Sequence, residues 1–89
     1  MLQVAFARQF RKDWKRLKAS GKKVSTAQSV MRALAKGEAL SPVYDDHPLH
    51  GPWQSHRGCH PQSDTVLIYK RQGETIIFER IGSHAELFE

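Results

Sequence analysis

The chain of 89 residues has one cysteine, Cys59, and no apolar run of membrane-spanning length. A lone cysteine excludes an internal disulfide framework. The longest stretch without Asp, Glu, Lys or Arg is the polar run His47 to His56, whereas a bilayer span needs about 20 apolar residues. No apolar segment follows the early charges, so no secretory signal is expected and a reducing cytoplasm, away from membranes, is the default. Length is equally limiting. A second compact unit would need roughly 50 residues of its own, so residues 1–89 are expected to form a single domain. A chain this short hides only about 60 to 65% of its unfolded surface; deep cofactor pockets are not expected, and no cofactor is assigned. With 39% hydrophobic and 26% charged residues, the composition is that of a globular protein.

Acidic residues are scarce in the first part of the chain. From Met1 to Lys36, ten Lys or Arg against Asp13 alone give +9. From Gly37 to Glu89, four basic against eight acidic residues give −4, and the two parts sum to the net +5. All five histidines lie in the second part. One half is suited to attract a polyanion, and the other holds the groups that titrate near neutrality. A solvated basic helix explains the first observation equally well, so charge alone names no partner.

Leu2, Val4 and Phe6 alternate with smaller or polar residues, a weak strand signal over Leu2 to Phe6. Phe6, Phe10, Trp14 and Leu17 then recur at helical spacing, with Arg8, Arg11, Lys12, Lys15 and Lys18 on the other faces. Ser20-Gly21 breaks that helix. Val24, Ala27, Met31 and Leu34 predict a second helix, which Gly37 can close in the left-handed conformation. Beyond Pro42, Pro48 and Pro52, a short strand is expected at Trp53 to Arg57, interrupted further on by Pro61. Thr65 to Tyr69 and Thr75 to Ile81 are β-branched and aromatic runs joined by Lys70 to Glu74, a hairpin. A turn or short helix is expected at His84 to Phe88. The fold class is therefore α+β, in the order β-α-α-β-β-β: a mainly antiparallel sheet packed against a two-helix hairpin.

The groups able to do chemistry are His47, His60, Asp64, Arg80 and His84, with Phe88 nearby in sequence. If the two runs pair as a hairpin, Asp64 and Arg80 are expected side by side, and His60 and His84 to meet across the same edge. Such a set suits cleavage of RNA by its own 2′-hydroxyl. One group takes that proton, another protonates the departing 5′-oxygen, and a cation steadies the phosphoryl charge. Imidazole fits both proton roles and guanidinium the third; Phe88 is placed to stack on a base. Taken singly, each has a plainer reading: His47 a loop residue, Arg80 a surface ion pair, Phe88 a lid on the core. Trp53 reads as core, His50 and His56 as solvent-facing, and Cys59 as a small buried residue. The His47-x-x-His50 and Cys59-His60 pairs match no zinc spacing, and no metal site is assigned.

The stretches V-Y-D-D-H-P-L-H-G-P-W (Val43 to Trp53), H-R-G-C-H-P-Q-S-D (His56 to Asp64), L-I-Y-K (Leu67 to Lys70) and F-E-R-I-G-S-H-A-E-L-F (Phe78 to Phe88) resemble the YafQ branch of the RelE superfamily of bacterial type II toxins. The motifs cover about half the chain. The resemblance implies a RelE-like fold and a metal-independent, ribosome-dependent endoribonuclease that cuts translated mRNA in the A site and is silenced by a cognate antitoxin. It carries functional positions onto His47, His60, Asp64, Arg80, His84 and Phe88. It implies His84 as general acid, Asp64 or His60 as general base, Arg80 as phosphoryl clamp and His47 as a positioning or auxiliary proton group; the acid and base assignments are interchangeable at this level. Lys12, Lys15, Lys18, Lys22 and Lys23 would hold 16S ribosomal RNA, and the same positive surface suits an acidic antitoxin segment. One position departs: relatives commonly carry tryptophan after the aspartate, where this chain has Thr65. The alternatives are a ParE-like toxin on the same scaffold, which lacks these histidines, and an inactive homologue that binds RNA or antitoxin.

Overall fold

The computed structural model describes residues 1–62 and 64–88; Ser63, within the second motif, lies outside them. Strand β1 (Gln3–Phe6) leads into helices α1 (Arg8–Ala19) and α2 (Ser25–Ala35). Then come a two-residue strand β2 (His47–Pro48), strands β3 (Arg57–Gln62), β4 (Thr65–Gln72) and β5 (Thr75–Gly82), and a short helix α3 (His84–Phe88). The sheet order is β1-β5-β4-β3-β2. Among the described residues, only the β1–β5 pair is parallel; the other neighbouring strands are antiparallel. No helix among the described residues is long and apolar enough to cross a membrane.

Both helices lie on one face of the sheet, where Phe10 and Leu17 of α1 and Ala27, Val30 and Leu34 of α2 pack on Leu67, Tyr69, Ile76, Phe78 and Ile81. The other face of β4 is also covered: Val66 and Ile68 pack with Leu87 of α3, and with Leu49 and Trp53 from the irregular segment. Burial on both faces explains why T-V-L-I-Y reads as a continuous run rather than an alternation.

Several boundaries differ from the sequence expectation, each for a physical reason. Trp53 ends a 3-10 turn (Gly51–Trp53) begun by Gly51-Pro52, and the strand starts at Arg57 and runs through Pro61 instead of stopping before it. Pro61 is tolerated because β2 pairs only with Arg57 and Gly58, and because the β3–β4 register shifts between Cys59 and Gln62. The β4–β5 hairpin continues through Lys70, Arg71 and Gln72, leaving Gly73-Glu74 as a two-residue turn with Gly73 at φ 59°. In α1 the buried stripe is Phe10, Asp13 and Leu17, with Trp14 at its margin. Helix α2 ends as the sequence predicts. Gly37, at φ 78°, donates to the Leu34 carbonyl while Glu38 donates to Ala33, the paired bonds of a Schellman cap.

Candidate active site

Four groups from three elements remote in sequence meet at the sheet end where β3 finishes and α3 begins. His47 of β2, His60 of β3, His84 and Phe88 of α3, with Leu49 and Val66, line an open pocket of about 220 Å³. The His47 and His60 rings are nearly parallel, 6.2 Å between centroids. His84 and Phe88, one turn apart on α3, have centroids 4.9 Å apart. Helix α3 is held at its start by a capping box. The Ser83 amide donates to Glu86 Oε1 at 2.8 Å, and the Glu86 amide donates to Ser83 Oγ at 3.1 Å. Glu86 Oε2 also pairs with Arg16 Nε at 3.3 Å, tying α3 to α1.

The Asp45 backbone carbonyl lies 2.6 Å from His47 Nδ1. A carbonyl only accepts, so Nδ1 carries the proton and Nε2 of a neutral His47 keeps its lone pair. The Asp45 carboxylate stands 3.8 Å from His47 Nδ1 and 3.7 Å from His60 Nε2, so one anion faces two imidazoles. Asp45 reaches this position in the left-handed conformation, φ 51°, at the end of the 3-10 turn Pro42–Tyr44. Its neighbour Asp46 turns the other way, accepting from Tyr69 Oη at 2.7 Å and Arg57 Nε at 3.1 Å. Burial alone would lower the Arg57 pKa, but the bonds to Tyr69 and Asp46 outweigh it and raise it. Asp64, also left-handed at φ 53°, lines an adjoining depression with His60, Tyr44 and Gln62.

Arg80 does not line the histidine pocket. Its Nε and Nη2 donate to Asp13 at 2.7 and 3.1 Å, and that pairing raises its pKa. The expected adjacency of Asp64 and Arg80 is not what the register produces: Arg80 stands opposite Ile68, four residues along the chain from Asp64, about 13 Å in an extended strand. A bulge decides where it points. Between Ile68, facing Arg80, and Tyr69, facing Phe78, Glu79 is the extra residue on β5.

The model of the bacterial YafQ toxin of type II toxin-antitoxin systems matches residues 2–89. This chain belongs to the YafQ family. It is 36% identical over 86 residues to the mRNA interferase toxin YafQ of Escherichia coli K12, covering 96% of this chain and 94% of the relative. Among solved structures it is similar to the E. coli DinJ-YafQ complex (TM-score 0.92, 34% identity, full coverage of both chains). It is also similar to a metal-bound toxin from Helicobacter pylori (TM-score 0.90, 37% identity, 99% of this chain and all of the other). The expected RelE-like α+β architecture is thus the observed one.

Within this YafQ-family fold, Lys12, Lys15, Lys18, Lys22 and Lys23 are all exposed. Lys12 and Lys15 flank a depression of about 560 Å³, floored by Phe6, Phe10 and Trp14 and away from the histidines. Thr65 is buried. Cys59 is fully buried, and burial pushes its thiol up to about 12, as befits an inert core residue. Among the described residues, no three His, Cys, Asp or Glu side chains converge closely enough to hold a metal ion. His56 corrects the expectation of a solvent-facing residue: it is mostly buried, its Nε2 2.8 Å from Glu79 Oε2 and its ring edge-on to Trp53, because Glu79 follows the helix-facing Phe78 and by strand alternation points to the other face of the sheet. Asp13, Asp45 and Glu86 were not singled out from sequence. Only Glu86 left a signal there, the S-x-x-E spacing of a capping box.

Proposed function

We propose that this YafQ-family chain is an mRNA interferase that cuts translated mRNA in the ribosomal A site, in the cytoplasm, and that a cognate antitoxin silences it. The observation carrying this reading is the shared pocket of His47, His60, His84 and Phe88. The name of the E. coli relative and the antitoxin complex of its YafQ support the same activity and partner.

His60 or Asp64 takes the proton of the 2′-hydroxyl, whose oxygen then attacks the adjacent phosphorus. The bond to the 5′-oxygen breaks, and His84 supplies the proton that the leaving oxygen needs. The products are a 2′,3′-cyclic phosphate and a 5′-hydroxyl. His47, with Nδ1 engaged and Nε2 open, is an auxiliary proton group or positions the nucleotide. Arg80 provides the fixed positive charge for the phosphoryl oxygens. Phe88, 39% exposed, presents a ring face for a base, a contact worth about 1 to 3 kcal/mol. The pocket is open and holds few groups, so the ribosome supplies the orientation of the mRNA that this chain does not. The lysines of α1 and the loop after it bind 16S ribosomal RNA.

Primer extension on translating ribosomes tests the reading. The intact protein should cleave; His84→Ala should lose about 10²-fold or more of the rate, typical for removing a proton-transfer group. Cleavage should persist after chelation by EDTA, with ribosome integrity verified separately, and should leave the cyclic phosphate. Full activity of His84→Ala, or a 3′-hydroxyl product, would reject the mechanism, and no cleavage by the intact protein would favour a ParE-like or inactive homologue.

A further inference from the structure

We infer that Asp13 is the positioning residue that fixes the Arg80 guanidinium and leaves its free Nη edge as the one available to the scissile phosphate. This rests on reading Arg80 as the cation of the proposed reaction. Asp13 lies on α1, on the buried stripe between Phe10 and Leu17, and its side chain has no exposed surface. Apolar residues would pack α1 on β5 at such a place, and a buried charge is a poor source of stability by itself. Instead, five donors saturate this carboxylate. Oδ2 accepts from Arg80 Nε at 2.7 Å and the Ile81 amide at 3.2 Å. Oδ1 accepts from Arg80 Nη2 at 3.1 Å, Arg16 Nη2 at 3.2 Å and Gln9 Nε2 at 3.2 Å. The Ile81 amide fixes the carboxylate relative to the strand that carries Arg80, so the pair cannot swivel freely.

A guanidinium has two forks able to grip an oxyanion: Nε with one Nη, and the two Nη atoms end-on. Asp13 occupies the first. The second is left without a hydrogen-bond partner at Nη1 among the described residues, and the Arg80 side chain is about one-fifth exposed, at 21%. Asp13 therefore spends one edge of Arg80 on orientation and leaves the other for phosphate. A guanidinium held this way needs no reorganisation as charge builds on the phosphoryl oxygens.

A double-mutant cycle on single-turnover cleavage by saturating toxin tests the inference, with thermal melts of every variant to set a temperature at which all are folded. Asp13→Asn should lower the rate constant by about tenfold while the half-saturating concentration stays within about twofold, the pattern of an interaction realised in the transition state. In an Arg80→Ala background, Asp13→Asn should cost nothing further, because the group it acts through is gone. Losses that multiply would make Asp13 a purely structural residue and overturn the inference. Normal cleavage by Arg80→Ala alone would instead remove the reading of Arg80 on which it depends. If Asp13→Asn does not fold, nitrogen-15 spectra of the wild-type arginine side chains decide the matter. Inorganic phosphate should shift the Arg80 Nη resonances and leave Nε–H unmoved and slow to exchange. A phosphate-induced loss of the Nε–H signal would show the Asp13 contact breaking, and Asp13 would then be a competitor of substrate.

Discussion

Glu86 serves two elements at once, and its ionisation is coupled to both. The backbone bond from Ser83 is the largest cause of its lowered pKa, and the nearby Arg16 charge acts in the same direction. A depressed carboxylate contributes stability above its ordinary value of 4.5 and loses it as pH falls through the lower folded value. Acidification below about 4.5 should therefore loosen the start of α3. Hydrogen exchange at the Ser83 amide, corrected for intrinsic rate, should lose protection there before the sheet amides do, and Glu86→Gln should abolish that pH dependence; a pH-independent Ser83 amide in the wild type would refute the coupling. His84 and Phe88 were legible as a pair because four residues separate neighbours on one helical face. Asp13 and Asp45 were not, since each acquires its meaning from partners distant in the chain: Arg80 for the first, His60 for the second.

At the scale of elements, the helices followed from their periods and the hairpin from its β-branched runs. The amphipathic period of α1 located the helix and, through Phe10 and Leu17, most of its inward face, but not Asp13 between them, which counts as polar until Arg80 and the Ile81 amide satisfy its carboxylate. Strand β3 lies beyond the expected Trp53 to Arg57, because Gly51 and Gly58 read as its bounds and Pro61 argues against a strand interior. A register break and a short partner strand supplied the exception. The end of α2 was readable from Gly37, whose positive φ any side chain resists although the space around it is open. Gly37→Ala should destabilise the protein by about 1 kcal/mol, visible as a lower urea midpoint with unchanged slope. A variant as stable as the wild type would mean that the Schellman cap contributes little.

For the whole molecule, charge is divided between two surfaces: exposed lysines along α1 and the following loop, and the histidine pocket at the end of the sheet. Binding and chemistry should separate accordingly. Neutralising Lys12, Lys15 and Lys18 to Gln should weaken ribosome binding and reduce the dependence of log K on log salt by about 0.7 to 0.9 for each lysine that meets a phosphate. Titration of labelled ribosomes over a salt series measures this. Lost turnover with intact binding and an unchanged salt slope would contradict the division.

The sequence by itself determined the α+β class, the order of elements, the excess of positive charge on the first helices and the residue types able to move protons, because these depend on period, composition and local turn chemistry. Only the tertiary structure decided which of those residues share a pocket, that Arg80 pairs with Asp13, that Asp45 faces two imidazoles and that His56 packs against Glu79. Strand register and bulges set those distances, and a one-residue change in register redirects a side chain to the other face of a sheet while leaving the local sequence signal intact.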